Sequence, residues 1–171
     1  MVPDAEPAGD QASGTARLAR VTDMFKDHPE LPWMLASAAV IRAHKIVMRR
    51  VSSVLKDIDD LSMPRYEILG LLDRAEGGRL AVRDLKNESF LLPPSLTFIL
   101  DWLEERRLVK RSGSKTDRRS VVITITPAGR RLFQRATRAL SPIRFGLEGL
   151  DEETASEVAE VLSRVRGQSS D

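Results

Sequence analysis

One segment, residues 96–129, constrains the fold more than any other part of this 171-residue chain. Its first third places branched apolar residues at i, i+3, i+4 and i+7: Leu96, Ile99, Leu100 and Leu103. This spacing predicts a helix with one face in the core and the other exposed. Two β-type runs follow, Leu108-Val109 and Val121–Ile125, joined by a glycine-containing basic loop. The segment therefore predicts a helix that leads directly into a β-hairpin.

Charge is spread unevenly along the chain, although the formal net charge is only +2. Between residues 106 and 138 there are eleven basic residues and one acid, Asp117, whereas residues 148–160 carry six acids and no base. A segregated basic block is typical of a site for a polyanion, the alternative being a solvated helix face. Helix, strand, basic loop and strand, in this order, are the parts of a winged helix-turn-helix. We therefore expect nucleic-acid recognition rather than catalysis.

Several function classes find no support in the residues. Cysteine is absent, which excludes disulfides and cysteine-bound metal, and neither His28 nor His44 has a second ligand at metal-binding spacing. No nucleophile–histidine–acid set, phosphate-binding glycine loop or carboxylate pair stands out, so we expect no enzyme, no metal and no cofactor. The N-terminus lacks a signal-peptide pattern, and Arg42 interrupts the longest apolar run. These features predict a cytoplasmic protein without a membrane span.

The predicted fold class is mainly α (α+β), with a winged helix-turn-helix over about residues 61–127. Residues 1–30 form a flexible N-terminal extension with room for one short helix, and a single domain covers residues 31–171. Leu80 is expected to add a short third strand. Thr126 is expected to cap the helix that follows the hairpin.

Long helices are predicted on both sides of the winged part, over about residues 32–58 and 127–167. The first has a broad apolar stripe, typical of a helix with more than one packing neighbour, such as a second subunit. We expect the last helix to bury five apolar side chains: Ala155, Val158, Val161, Leu162 and Val165. Together these helices carry more apolar surface than a monomer of this size should expose, which predicts a homodimer.

Three stretches resemble the MarR family of bacterial transcription regulators. DRRSVVITITPAG, from Asp117 to Gly129, is similar to the wing of that family. The recognition helix and first wing strand of the family are resembled by LTFILDWLEERRLVKR. The family's helix that opens the winged domain is resembled by LSMPRYEILGLL. The resemblance covers roughly residues 32–166. It implies a homodimer that binds double-stranded DNA at a near-palindromic operator. It further implies a repressor that a small lipophilic or phenolic ligand releases from DNA.

The candidate DNA-binding residues fall into two groups. Those of the wing are Lys110, Arg111, Lys115, Asp117, Arg118 and Arg119; those of the recognition helix are Pro94, Ser95, Thr97, Phe98 and Trp102. Arg119 is expected to enter a minor groove while Asp117 orients a guanidinium. Lys110, Arg111 and Lys115 are expected to contact phosphates. Four residues are candidates for an effector cleft, the alternative being ordinary core: Trp33, His44, Met48 and Tyr66.

This chain departs from the family pattern on the recognition helix. Phe98 and Trp102 stand where the family has polar or basic residues, and Arg107 replaces a glycine after the helix. The two aromatics have three interpretations: a groove contact, a contact with another protein, or packing under the wing of their own chain. A second function therefore stays open, a protein-interaction module on the same fold with weak or lost DNA binding.

Overall fold

The computed structural model describes residues 16, 19–20, 22–89, 93–113 and 121–165, with the side chains of residues 93–95 left out. The elements are α1 (Leu31–Lys56), α2 (Met63–Arg74), β1 (Arg79–Ala81), α3 (Val82–Glu88), α4 (Pro93–Glu105), β2 (Val109–Gly113), β3 (Val121–Ile125), α5 (Pro127–Leu140) and α6 (Glu152–Ser163). Short 3₁₀ turns cover Glu76–Gly78 and Arg144–Gly146. The chain divides into two compact units, residues 1–46 and 47–171.

The first unit contains the N-terminal part of α1. Residues 22–24 are helical, within the stretch where one short helix was expected. Apolar side chains of α1 lie exposed in this unit, including Trp33 at 71% and Ile41 at 58%. The stripe that the sequence predicted is thus present. Within this unit, no described side chain of the stripe is buried.

The second unit holds the hydrophobic core. Val51 and Leu55 from the end of α1 join residues of α2, α4 and α5, all nearly without solvent exposure. A three-stranded antiparallel sheet in the order β1-β3-β2 closes one side, with Leu80 opposite Ile123 and Arg111 on the other side of Ile123. The predicted third strand at Leu80 and the mainly α fold with a small sheet are confirmed.

A tight junction connects the end of α4, the start of β2 and the start of α5. Thr126 caps α5 as predicted, because its Oγ1 accepts a hydrogen bond from the Gly129 amide at 3.1 Å. The same hydroxyl donates to the carbonyls of Arg107 and Leu108, at 2.8 and 3.0 Å. Arg107 has a φ of 56°, the left-handed region that favours glycine, which explains why a glycine suits this position.

The last helix corrects one prediction. Asp151 caps α6 by accepting a hydrogen bond from the Thr154 amide at 2.8 Å, but α6 has no buried residue. Ala155, Val158, Val161, Leu162 and Val165, expected in the core, are only half-buried or exposed, and Val165 is 76% exposed. The amphipathic spacing was read correctly, but no element among the described residues buries this face. Pro142 lies between α5 and α6, the two helices of the predicted 127–167 region.

Candidate nucleic-acid interface

Helix α4 has the two faces that its spacing predicted. Leu96, Ile99, Leu100 and Leu103 are buried, each at 6% exposure or less. Thr97 and Phe98 consequently point away from the core, and Phe98 is 71% exposed. Phe98 thus presents an aromatic ring on the exposed face of α4. Pro94 and Ser95 lie in the first turn of the same helix.

Trp102, one turn after Phe98, is not a free surface residue. Its ring is half-buried against the core and carries two guanidinium groups, Arg65 at 3.8 Å and Arg106 at 3.9 Å from the ring centroid. The sequence placed Trp102 on the outward face beside Phe98, and the structure shows it covered by cations of its own chain. Of the aromatic pair, only Phe98 is left exposed. Arg65 was missed, since no periodicity in α2 signals a partner on α4.

Strand β2 is tied to α4 through Arg111. Its guanidinium lies 2.5 Å from a carboxylate oxygen of Asp101 and 3.4 Å from one of Glu104, and its backbone amide donates to Glu104 at 3.2 Å. These partly exposed ion pairs add modest stability but hold the strand and helix in one register. Arg111 was predicted to contact phosphate. The structure shows it paired with two carboxylates, so its first role is to position the wing strand.

The wing itself is described at its base only. Strands β2 and β3 pair from Val109 opposite Ile125 to Gly113 opposite Val121, and Lys110 is exposed on β2. The other predicted wing residues lie outside the described residues: Lys115, Asp117, Arg118 and Arg119. Their assignment rests on the sequence. The side chains of Pro94 and Ser95 are likewise outside the description.

The four effector-cleft candidates have different surroundings. Trp33 and His44 are exposed in the first unit. In the second unit, Met48 is half-buried and Tyr66 is buried, its ring stacked on Phe133 at 5.1 Å between centroids. The Tyr66 hydroxyl is 3.0 Å from the Thr137 hydroxyl. Tyr66 therefore fits the alternative, an ordinary core residue, better than the other three.

Among the described residues, no group of three or more histidine, cysteine, aspartate or glutamate side chains is placed to hold a metal ion. Within the same residues, no helix has both the length and the apolar character needed to cross a bilayer.

Comparison with known proteins finds similarity to bacterial transcriptional regulators. The model of the MarR family matches residues 61–121, from the start of α2 through the wing. The HTH-type transcriptional regulator FarR of Neisseria gonorrhoeae is 34% identical over 95 residues, 56% of this chain and 63% of that protein. The chain thus matches less than two thirds of that relative's length.

Solved structures show the same likeness over most of the chain. Sco5413 from Streptomyces coelicolor, a MarR family transcriptional regulator, is 31% identical with a TM-score of 0.70, covering 77% of this chain and 91% of that one. NadR, solved in complex with 4-hydroxyphenylacetate, is 28% identical with a TM-score of 0.60, covering 74% of this chain and 88% of that one.

Proposed function

Because this chain belongs to the MarR family, we propose that it is a dimeric, sequence-specific DNA-binding transcriptional regulator. Helix α4 enters the major groove, and the hairpin of β2 and β3 lies beside it on the DNA backbone. A dimer bound across promoter DNA excludes other proteins from it, so repression is the output we propose. The transcriptional regulators that the chain resembles support this function rather than an enzymatic one.

The observation that carries the proposal is the rigid link between α4 and β2. Arg111 binds Asp101 and Glu104 on the helix and is itself part of the wing strand. Helix α4 and strand β2 are therefore held in one register before DNA binds, which lowers the ordering cost of binding. The link also neutralises two carboxylates that would repel phosphates.

Phe98 has a different role in each of the two functions that the sequence left open. Its ring has no polar group, so on DNA it would contact the methyl group of thymine in the major groove. In a protein-interaction module the same ring would insert into a partner. With Trp102 covered by Arg65 and Arg106, the exposed apolar area is one side chain rather than two, which weakens the second function. We therefore favour DNA.

Arg119→Ala tests the wing. Loss of a guanidinium inserted into a minor groove should cost about 1–3 kcal/mol of DNA affinity and leave Asp117 without its partner. The measurement is a binding titration with duplexes from the region around the protein's own gene, at physiological salt. Arg135→Ala is the matched control, because that arginine lies on α5 and is paired with Asp59. Equal operator affinity for Arg119→Ala and the unaltered chain would remove the wing from the proposed site.

A homodimer should account for the exposed helix faces. Apolar side chains lie exposed along α1 and along and just beyond α6: Trp33, Val40, Ile41, Val158, Val161, Leu162 and Val165. Faces of this kind are typical of an interface between subunits. Sedimentation equilibrium should give twice the chain mass of 19.1 kDa at micromolar concentration.

Val161→Asp should shift this equilibrium toward the monomer, because a carboxylate would have to be buried in the interface. Ser156→Asp adds the same charge on the opposite side of α6 and should leave the dimer intact. A mass of a single chain for the unaltered protein would contradict the dimer.

A small phenolic or lipophilic effector is the remaining part of the proposal. The resemblance to NadR, solved with 4-hydroxyphenylacetate, supports a ligand of this chemistry. The four cleft candidates named from the sequence stay predictions for its contacts. Millimolar 4-hydroxyphenylacetate should release the protein from its duplex. Unchanged DNA affinity with this compound and with related aromatic acids would argue against an effector of this class.

A further inference from the structure

We propose that Arg65, Trp102 and Arg106 form a phosphate-binding element, in which the indole ring holds two guanidinium groups in position for the DNA backbone. The proposal rests on the DNA-binding function above and assigns to that surface a contact that the sequence did not suggest. Trp102 is a positioning residue here, and the two arginines are the groups that bind phosphate. We call these three residues the arginine–tryptophan stack.

The stack brings two cations onto one aromatic ring. Both guanidinium carbons lie within 4 Å of the same centroid, at 3.8 Å for Arg65 and 3.9 Å for Arg106. Arg106 directly follows the end of α4, four residues after Trp102, whereas Arg65 comes from the first turn of α2. The ring therefore brings together cations from the end of α4 and the start of α2.

Holding two cations against one aromatic ring has two opposing electrostatic effects. Each guanidinium is attracted to the electron-rich face, but the two positive charges repel each other. Burial lowers the pKa of Arg65 from its ordinary value, the charge of Asp60 raises it, and the charge of Arg106 lowers it. Arg65 also donates to the backbone carbonyl of Asp60 at 3.1 Å. An anion at the stack would relieve the repulsion.

The stack differs from other arginines of the second unit in its partners. Arg111 is paired with Asp101 and Glu104, and Arg130 with Asp73. Among the described residues, neither guanidinium of the stack forms an ion pair with a carboxylate. Apart from the hydrogen bond from Arg65 to Asp60, their donors are available to an external acceptor. Guanidinium groups favour phosphate oxygens because their planar donors bind two oxygens at once.

The position of the stack selects the DNA backbone as the source of that phosphate. Trp102 lies on α4 one turn beyond Phe98, so a helix that places Phe98 in the major groove brings its next turn toward the strand that borders the groove. Contacts to phosphates carry no sequence information but fix the register of the helix. The two aromatics thus have separate roles: Phe98 faces bases, and Trp102 arranges cations.

The test compares the salt dependence of DNA binding in single variants of the full-length protein. The probes are duplexes recovered from a random pool by the unaltered chain. Each phosphate contact contributes about −0.9 to the slope of log K against log salt, so Arg106→Gln should make the slope of the dimer shallower by about 1.8. Affinity should fall evenly for recovered and random duplexes. Arg74→Gln, which removes a cation from the other end of α2, should leave the slope unchanged.

Variants of the ring separate positioning from charge. Trp102→Leu keeps both arginines but removes the ring that aligns them. The slope of log K against log salt should therefore become shallower, as for Arg106→Gln. Trp102→Phe keeps an aromatic ring and should restore most of the slope of the unaltered chain. Neutral methylphosphonate placed at single backbone positions gives an independent readout. At one position in each half-site it should weaken the unaltered protein but not Arg106→Gln, as expected when both changes remove the same contact.

Any result other than those expected above overturns the proposal. An unchanged slope for Arg106→Gln, with DNA binding intact in the unaltered chain, refutes the stack and leaves the proposed function standing. A loss of sequence preference in Arg106→Gln or Trp102→Leu, at constant slope, would show a base contact instead. If the unaltered chain binds no duplex, the proposed function and the stack both fail.

Discussion

Raising the salt concentration from about 50 to 200 mM should weaken DNA binding by about a thousandfold. The expectation follows from the cations that each protomer presents on the proposed surface: Arg65, Arg106, Lys110, Lys115, Arg118 and Arg119. Several phosphate contacts in each half of a dimer imply a slope of about −5 or steeper. A slope of this size would show that released counterions, rather than apolar contacts, supply most of the affinity.

The measurement is a series of binding titrations by fluorescence anisotropy at four or more salt concentrations. A random duplex of equal length serves as control and should show a similar slope with weaker binding at every salt concentration. A slope near zero, with binding retained, would favour the protein-interaction module, because an aromatic contact alone releases few counterions.

Gly129→Ala should destabilise the fold by about 3 kcal/mol or more. A Cβ at this position would lie 2.2 Å from the carbonyl oxygen of Leu108 and 2.9 Å from Ile125. Backbone cannot move aside as a flexible side chain can, so the start of α5 would have to shift away from β2. The shift would also strain the hydrogen bond between Thr126 and the Gly129 amide. Chemical denaturation of the dimer, followed by circular dichroism, measures the change.

Gly113→Ala is the matched control for this substitution. A Cβ there meets no atom within 4 Å, and the residue lies in the extended conformation of β2. The same added methyl group should therefore change the free energy of unfolding by a few tenths of a kcal/mol at most. Equal unfolding midpoints for Gly129→Ala and the unaltered chain would show that the start of α5 can move away from β2 at little cost in stability.

Features that depend on near neighbours in the sequence were predictable. The apolar spacing of Leu96 to Leu103 gave the buried face of α4, and the capping residue Thr126 marked the start of α5. In both cases a local rule decides the structure: helical periodicity in the first and an unpaired amide in the second. The family resemblance rested on such short patterns, and the comparisons confirmed it.

Features that depend on contacts between distant residues were not predictable. Nothing in α2 indicates that Arg65 will lie on the ring of Trp102, because that contact is set by how α2 and α4 pack. The pairing of Arg111 with Asp101 and Glu104 has the same origin in the packing of β2 on α4. The exposure of the apolar face of α6 could not be predicted for a different reason. Amphipathic spacing identifies an apolar face but not which chain covers it.

The most direct test of the central claim is selection of duplexes from a random pool by the purified, dimeric protein. We predict enrichment of one near-palindromic sequence, with half-sites about one helical turn apart, because each winged domain of a dimer reads one half. Binding to that sequence should exceed binding to random DNA by about 10³ or more. Recovery of no common sequence by a folded dimer, at any salt concentration, would contradict a sequence-specific regulator.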